Sequence, residues 1–178
     1  MAQYVREGRP RFTGVTSYQD PLGRFSFRYP SDWRQYELDD ELEGSMLSPV
    51  NADITTYIGA WVAQLDTNVV AEDLDILREG IEDGLASLPD LVVEKSDDTV
   101  LSNLVKFERI YTFTEDGETR RRRAWMLYVD KWRIVLIFQG SSIDEYEYWL
   151  PMGNYAFATF DLPQALWFAT DRDLKAND

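Results

Sequence analysis

Histidine and cysteine are both absent from this 178-residue chain. Their absence excludes Ser-His-Asp and Cys-His catalysis, thiolate nucleophiles and histidine general bases. Disulfides, Cys/His zinc sites and iron–sulfur clusters go with them. Positive charge is scarce as well: 18 Lys+Arg stand against 32 Asp+Glu, a net charge of −14. Nucleic acid and anionic membrane surfaces attract clustered positive charge, so neither is expected as a partner. No apolar run approaches the roughly 20 residues that cross a bilayer, so direct membrane insertion is not expected. The ten glycines never fall into a GxGxxG or P-loop arrangement, and no cofactor is implied. Residues 1–16 contain Arg6, Arg9 and Arg11 but no apolar stretch of the signal-peptide kind. As it stands the sequence therefore reads as cytoplasmic.

What is present is apolar and aromatic. Hydrophobic residues make up 44% of the chain and aromatics 14%, enough for a core and too much for disorder. The length fits one domain, with residues 1–17 as a flexible lead-in, 18–161 as the folded body and 162–178 as a C-terminal tail. The acidity is local: residues 36–103 carry 17 acidic and 2 basic side chains, while the segments on either side are net positive. Such a segment serves solubility, or offers an acidic face to a basic partner.

Period-two alternation marks the strands. Phe25, Phe27 and Tyr29 share one face of a strand that follows the turn Asp20-Pro21-Leu22-Gly23 and ends at Pro30. Met46-Leu47-Ser48 reads as a short strand, and 54–65 as a longer one covered on both faces. Tyr36 to Gly44 reads as acidic loop. Residues 104–114, 119–129 and 132–138 form a meander through Asp116-Gly117 and Asp130-Lys131, with Leu91-Val92-Val93-Glu94 as a possible addition. Val70, Leu74, Leu77, Ile81, Leu85 and Leu88 recur at helical spacing, with Thr67 or Asn68 available as cap and Pro89 beyond the end. Ser142-Ile143-Asp144-Glu145 is a capping box for a second helix, which Pro151 and Gly153 are expected to kink or restart. The order predicts an α+β sandwich: a central antiparallel sheet of about six strands flanked by helices.

Tyr18-x-Asp20-Pro21-x-Gly23-x-Phe25-Ser26-Phe27-x-Tyr29-Pro30-x-x-Trp33 resembles the opening signature of PsbP-like domains. That superfamily includes the photosystem II extrinsic protein PsbP, Ran-binding Mog proteins and bacterial DcrB-type proteins. The likeness covers roughly residues 18–161, including a closing helix that ends on Thr159-Phe160. It implies the α/β/α sandwich of the Mog/PsbP type and non-catalytic work as accessory subunit, regulator or chaperone-like binder. In that resemblance Asp20, Pro21, Gly23, Phe25, Phe27, Tyr29, Pro30 and Trp33 are structural, and no active-site residue is carried over.

Candidate sites remain on the surface. Arg120-Arg121-Arg122-Arg123 alternates in a strand, so Arg121 and Arg123 point away from Arg120 and Arg122. The run serves as a solvated hairpin end paired with nearby acids, or Arg121 and Arg123 take an anionic partner. Trp167-Phe168 folds back onto the sheet or anchors a partner. Glu37-Asp39-Asp40-Glu41-Glu43 and Asp97-Asp98 offer oxygens to Ca²⁺ but lack EF-hand spacing, so no metal site is assigned. No carboxylate pair is singled out by spacing, and no catalytic residue is assigned. The expectation is a non-catalytic accessory protein acting through protein–protein contacts, such as a subunit or assembly factor of a photosynthetic or membrane-associated complex. Two alternatives stand beside it. A chaperone-like module would present a concave apolar groove to a client's apolar segment, and a carboxylate-dependent hydrolase would present converging carboxylates.

Overall fold

Left-handed residues at the tight turns set the meander: Ser102, Asp116 with Gly117, and Asp130. The computed structural model describes residues 8–39 and 41–167. Its elements are β1 (Val15–Gln19), β2 (Ser26–Pro30), β3 (Arg34–Glu37), β4 (Glu43–Ser48), β5 (Tyr57–Gln64), α1 (Leu74–Ala86), β6 (Val92–Leu101), β7 (Leu104–Glu115), β8 (Glu118–Val129), β9 (Trp132–Gly140), α2 (Ile143–Thr159) and α3 (Gln164–Trp167). Asp116 and Gly117 have φ of 51° and 77°, as a type I′ turn requires, and they hold β7 against β8 from Leu104↔Val129 to Glu115↔Glu118. Asp130, at φ 52°, turns β8 into β9.

Seven strands form one antiparallel sheet in the order β3-β4-β5-β9-β8-β7-β6, and β1 and β2 form a separate hairpin. The fold class is α+β, as the strand and helix order predicted. One sheet face packs against α2 and the β1–β2 hairpin, around Phe25, Phe27, Leu136, Phe138 and Phe157. The other face packs against α1, around Ile81, Leu85, Phe107, Tyr111 and Ile137. The opening motif builds the β1–β2 hairpin and the chain that follows it. Phe25, Phe27, Tyr29 and Trp33 are buried, and Trp33 meets Trp149 edge-on at 5.6 Å. Gly23, at φ 71°, donates its N–H to the Asp20 carbonyl at 2.8 Å to close the turn after Pro21. Pro30 ends β2 opposite Val15.

Several sequence expectations are corrected. β1 begins at Val15, inside the stretch expected as lead-in, because residues 15–19 find pairing partners in β2. The expected acidic loop at 36–44 is largely the β3–β4 hairpin: Glu37 and Glu43 keep their charges at exposed positions while the backbone pairs. β6 runs to Leu101, through Asp97 and Asp98, since an exposed edge strand tolerates charge. Helix α1 starts later than its apolar period, after a 3₁₀ turn at Ala71–Asp73 in which the Asp73 carboxylate accepts the Val70 N–H at 2.9 Å. Helix α2 is capped by Ser142, whose hydroxyl accepts the Glu145 N–H at 3.1 Å, as its capping box predicts. It runs through Pro151 without a break, held by Tyr146, Met152, Ala156 and Phe157 in the core. Gly153 is required there, because a Cβ would come 2.5 Å from the Phe138 ring. No described helix is long and apolar enough to cross a membrane.

Candidate functional site

The arginine run does not form a patch. Its side chains alternate as strand geometry demands, and each finds partners within the fold. Arg121 donates to Glu94 at 2.9 Å and to Glu147 of α2 at 2.5 Å. Arg123 donates to Glu108 at 2.9 Å and Asn154 at 3.1 Å, and its guanidinium lies 4.2 Å from the Phe157 ring. On the opposite face Arg120 pairs with Glu115 at 3.0 Å, and Arg122 donates to Gln139 at 2.9 Å. Arg121 and Arg123 thus serve as intramolecular ties between sheet and helix. Trp167 folds back: its indole N–H donates to the Leu162 carbonyl at 3.0 Å, and its own carbonyl accepts from the Asn103 N–H at 3.3 Å. Phe168 and Asp40 lie outside the described residues.

Three of the acidic candidates are engaged as well. Asp98 accepts from Arg109 at 2.6 Å and from Arg78 at 2.5 Å, Asp97 pairs with Lys95 at 3.1 Å, and Glu43 accepts from Arg24 at 2.7 Å. Among the described residues, no three carboxylates converge as a metal site.

Two buried ion pairs escaped the sequence reading. Arg24 is buried beside Asp20, donating Nε at 2.6 Å and a terminal nitrogen at 2.8 Å, and it stacks over Trp132 at 4.6 Å. Burial alone would push the Asp20 carboxyl up, but the Arg24 hydrogen bonds hold it below the usual carboxylate value. Their four-residue spacing was the available signal. Glu108 gathers Lys95 at 2.7 Å, Arg123 and the Trp125 indole N–H. Burial opposes its charge, yet these three donors draw its carboxyl from 4.5 to about 2. Both clusters are held by internal partners and act as braces.

Open space lies instead beneath α1. Arg109, almost fully buried on β7, ties Glu82 at 2.9 Å and Asp98 at 2.6 Å, and Arg78 reaches Asp98 beside it. These pairs pin one flank of α1 over β6 and β7. Helical spacing places Ile76, Gly80 and Gly84 on the other flank, four residues apart. That flank overhangs a groove of about 430 Å³. Leu77, Ile81 and Leu85 form its roof, and Trp61, Met126, Val135 and Ile137 are prominent in its floor. The volume falls in the range of small-ligand sites, roughly 300–1,000 Å³.

Small residues make this space. A Cβ on Gly80 or Gly84 would touch nothing within 4 Å, and Ala124 stands opposite on β8. Each helical glycine costs about 1 kcal/mol relative to alanine. Ile76, 69% exposed, stands at the mouth. Among the described lining residues Arg133 carries the one charge, and no carboxylate is present. The sequence carried one trace of the groove, the pair of glycines in an otherwise strong amphipathic helix. A second hollow of about 380 Å³ is bounded by residues 8–11, which have no regular structure, and by Trp33 and Trp149.

An antiparallel sheet closed on one face by a C-terminal helix and a hairpin, with a helix spaced off the other face, is the PsbP/Mog fold. Solved structures of that fold superimpose across most of the chain. Cyanobacterial PsbP (CyanoP) from Synechocystis sp. PCC 6803 matches with a TM-score of 0.62 at 11% identity, over 88% of this chain and 98% of its own. LpqN, involved in cell envelope biogenesis of Mycobacterium tuberculosis, matches at 0.59 and 14% identity, over 84% and 91%. The Saccharomyces cerevisiae Ran-binding protein Mog1p matches at 0.50 and 12% identity, over 84% and 95%. No family model matches the chain, and no curated protein matches it in sequence. At these identities the likeness is one of fold.

Proposed function

We propose that the protein is a non-catalytic accessory binding protein, and that its working surface is the apolar groove between α1 and the sheet. The groove carries the reading, because it is the concave apolar face that the chaperone-like alternative requires. Its lining lacks the converging carboxylates that a hydrolase requires. Mog1p, of the same fold, is a Ran-binding protein, which agrees with work by contact. The arginine ties and the folded-back Trp167 are engaged internally, which favours the groove as the place where a guest is received.

The test is binding of the neutral apolar dye N-phenyl-1-naphthylamine to the wild-type protein and to Gly84→Leu. Leucine at 84 projects into the mouth. We expect the dye to brighten with wild type and to lose about tenfold in affinity with the variant, equal to about 1.4 kcal/mol. Equal dye binding by both proteins, or none by wild type, overturns the reading.

A further inference from the structure

Most arginines of the sheet hold a carboxylate or an amide; Arg133, on β9, borders the groove and holds the Tyr128 hydroxyl instead. Arg109, Arg121 and Arg123 each hold at least one carboxylate, and Arg122 holds Gln139. Arg133 forms no ion pair among the described residues, and its Nε is shielded from solvent with no hydrogen-bond partner. In a chain with 32 acidic and 18 basic side chains, a groove-lining guanidinium left without an acid is the group that calls for a ligand. Tyr128 faces it across the β8–β9 pair, and its hydroxyl, pushed up by burial, is drawn back by the charge and the hydrogen bond of Arg133, which leaves the guanidinium with a neutral partner and no acid.

The rest of the groove is apolar along its length. From Arg133 the floor continues through Val135 and Met126 to Ile137 and Ala124. Four residues of strand span about 13 Å. Glycines at 80 and 84 keep the roof low in bulk over that path. A slot of this kind accepts an extended chain more readily than a branched or bulky group, and its one polar end carries a planar fork of donors suited to an anion.

We infer that the groove binds a single-chain amphipathic anion, its apolar chain lying between α1 and the floor of β8 and β9 and its acidic head on the Arg133 guanidinium. This rests on the groove being the protein's working surface, and it adds the chemistry of the guest. Carboxylate and phosphate heads share the required chemistry.

Competition against bound N-phenyl-1-naphthylamine separates the two claims. Dodecanoate, dodecyl phosphate and dodecanol are compared on wild type and on Arg133→Gln. We expect at least one of the two anions to displace the dye from wild type at about tenfold lower concentration than dodecanol. Whichever anion displaces better identifies the head. In Arg133→Gln that advantage disappears while dye and dodecanol still bind, which also shows that the variant is folded. Equal competition by anions and alcohol on wild type overturns the head-group assignment and leaves the groove reading standing. An advantage that persists in Arg133→Gln overturns it too. Failure of the dye to bind wild type removes both.

Discussion

Replacing Glu108 by Gln removes one charge from the most heavily bonded carboxylate on the α2 face of the sheet. The side chain is 9% exposed and accepts from Lys95, Arg123 and Trp125. Its folded-state value of about 2, against 4.5 ordinarily, corresponds to an upper bound of about 3 kcal/mol favouring the charged form in the native state. Glutamine preserves the shape and one acceptor but leaves Arg123 without its counter-charge and Lys95 with Asp97 alone, so about 2–3 kcal/mol is expected to be lost at about pH 7. The sign of the pH dependence follows from the depressed value. The stabilisation is fully present above 4.5 and is lost as the pH falls toward about 2. Between about pH 7 and about pH 3.5 this one group should account for about 1.4 kcal/mol of the wild-type loss. Urea denaturation followed by tryptophan fluorescence across that range measures it. Wild type should converge toward Glu108→Gln as the pH falls. Stability curves that run parallel over the whole range would refute the assignment of Glu108 as a charged brace.

The ion pairs of Arg109 fasten α1, so Arg109→Met should cost about 3–5 kcal/mol and expose the α1 amides to hydrogen exchange ahead of the sheet; unchanged relative protection of α1 would contradict the anchoring role. Gly140→Ala drives a Cβ to 2.3 Å from the Tyr146 backbone nitrogen and should destabilise by more than about 2 kcal/mol. Gly84→Ala meets nothing and should stabilise by up to about 1 kcal/mol; the opposite ranking in thermal melts would reject the packing argument. Ending the chain at residue 161 removes Trp167 and the carbonyls that Asn103 bonds, and should lower stability by about 2 kcal/mol. A melt indistinguishable from full length would show that the tail packs without consequence.

Local pattern made much of this protein legible. Asp116-Gly117 has the composition of a type I′ turn, and the structure uses it as one. Phe25, Phe27 and Tyr29 alternate into the core, Ser142 caps α2, and the arginine run splits between two faces, because period and backbone chemistry act within a few residues. Composition alone removed whole classes of chemistry, and motif order pointed to the fold. The β3–β4 hairpin was hidden, since its charged residues read as loop until a neighbouring strand supplied partners.

What tertiary structure decided was which side chains satisfy one another. β5 pairs with β9 from Tyr57↔Gln139 to Gln64↔Trp132, a long-range register that no local spacing announces. That register sets Trp61 and Val135 in one floor, and the ties from Arg109 and Arg78 hold α1 by a single flank above it. Arg109 and Arg133 look alike in sequence, each a lone arginine in an apolar strand. The packing of α1 and β6 gives Arg109 the carboxylates of Glu82 and Asp98, while Arg133 borders the groove with no carboxylate paired to it. Pairing of charges depends on distance in space, and the fold alone sets that distance.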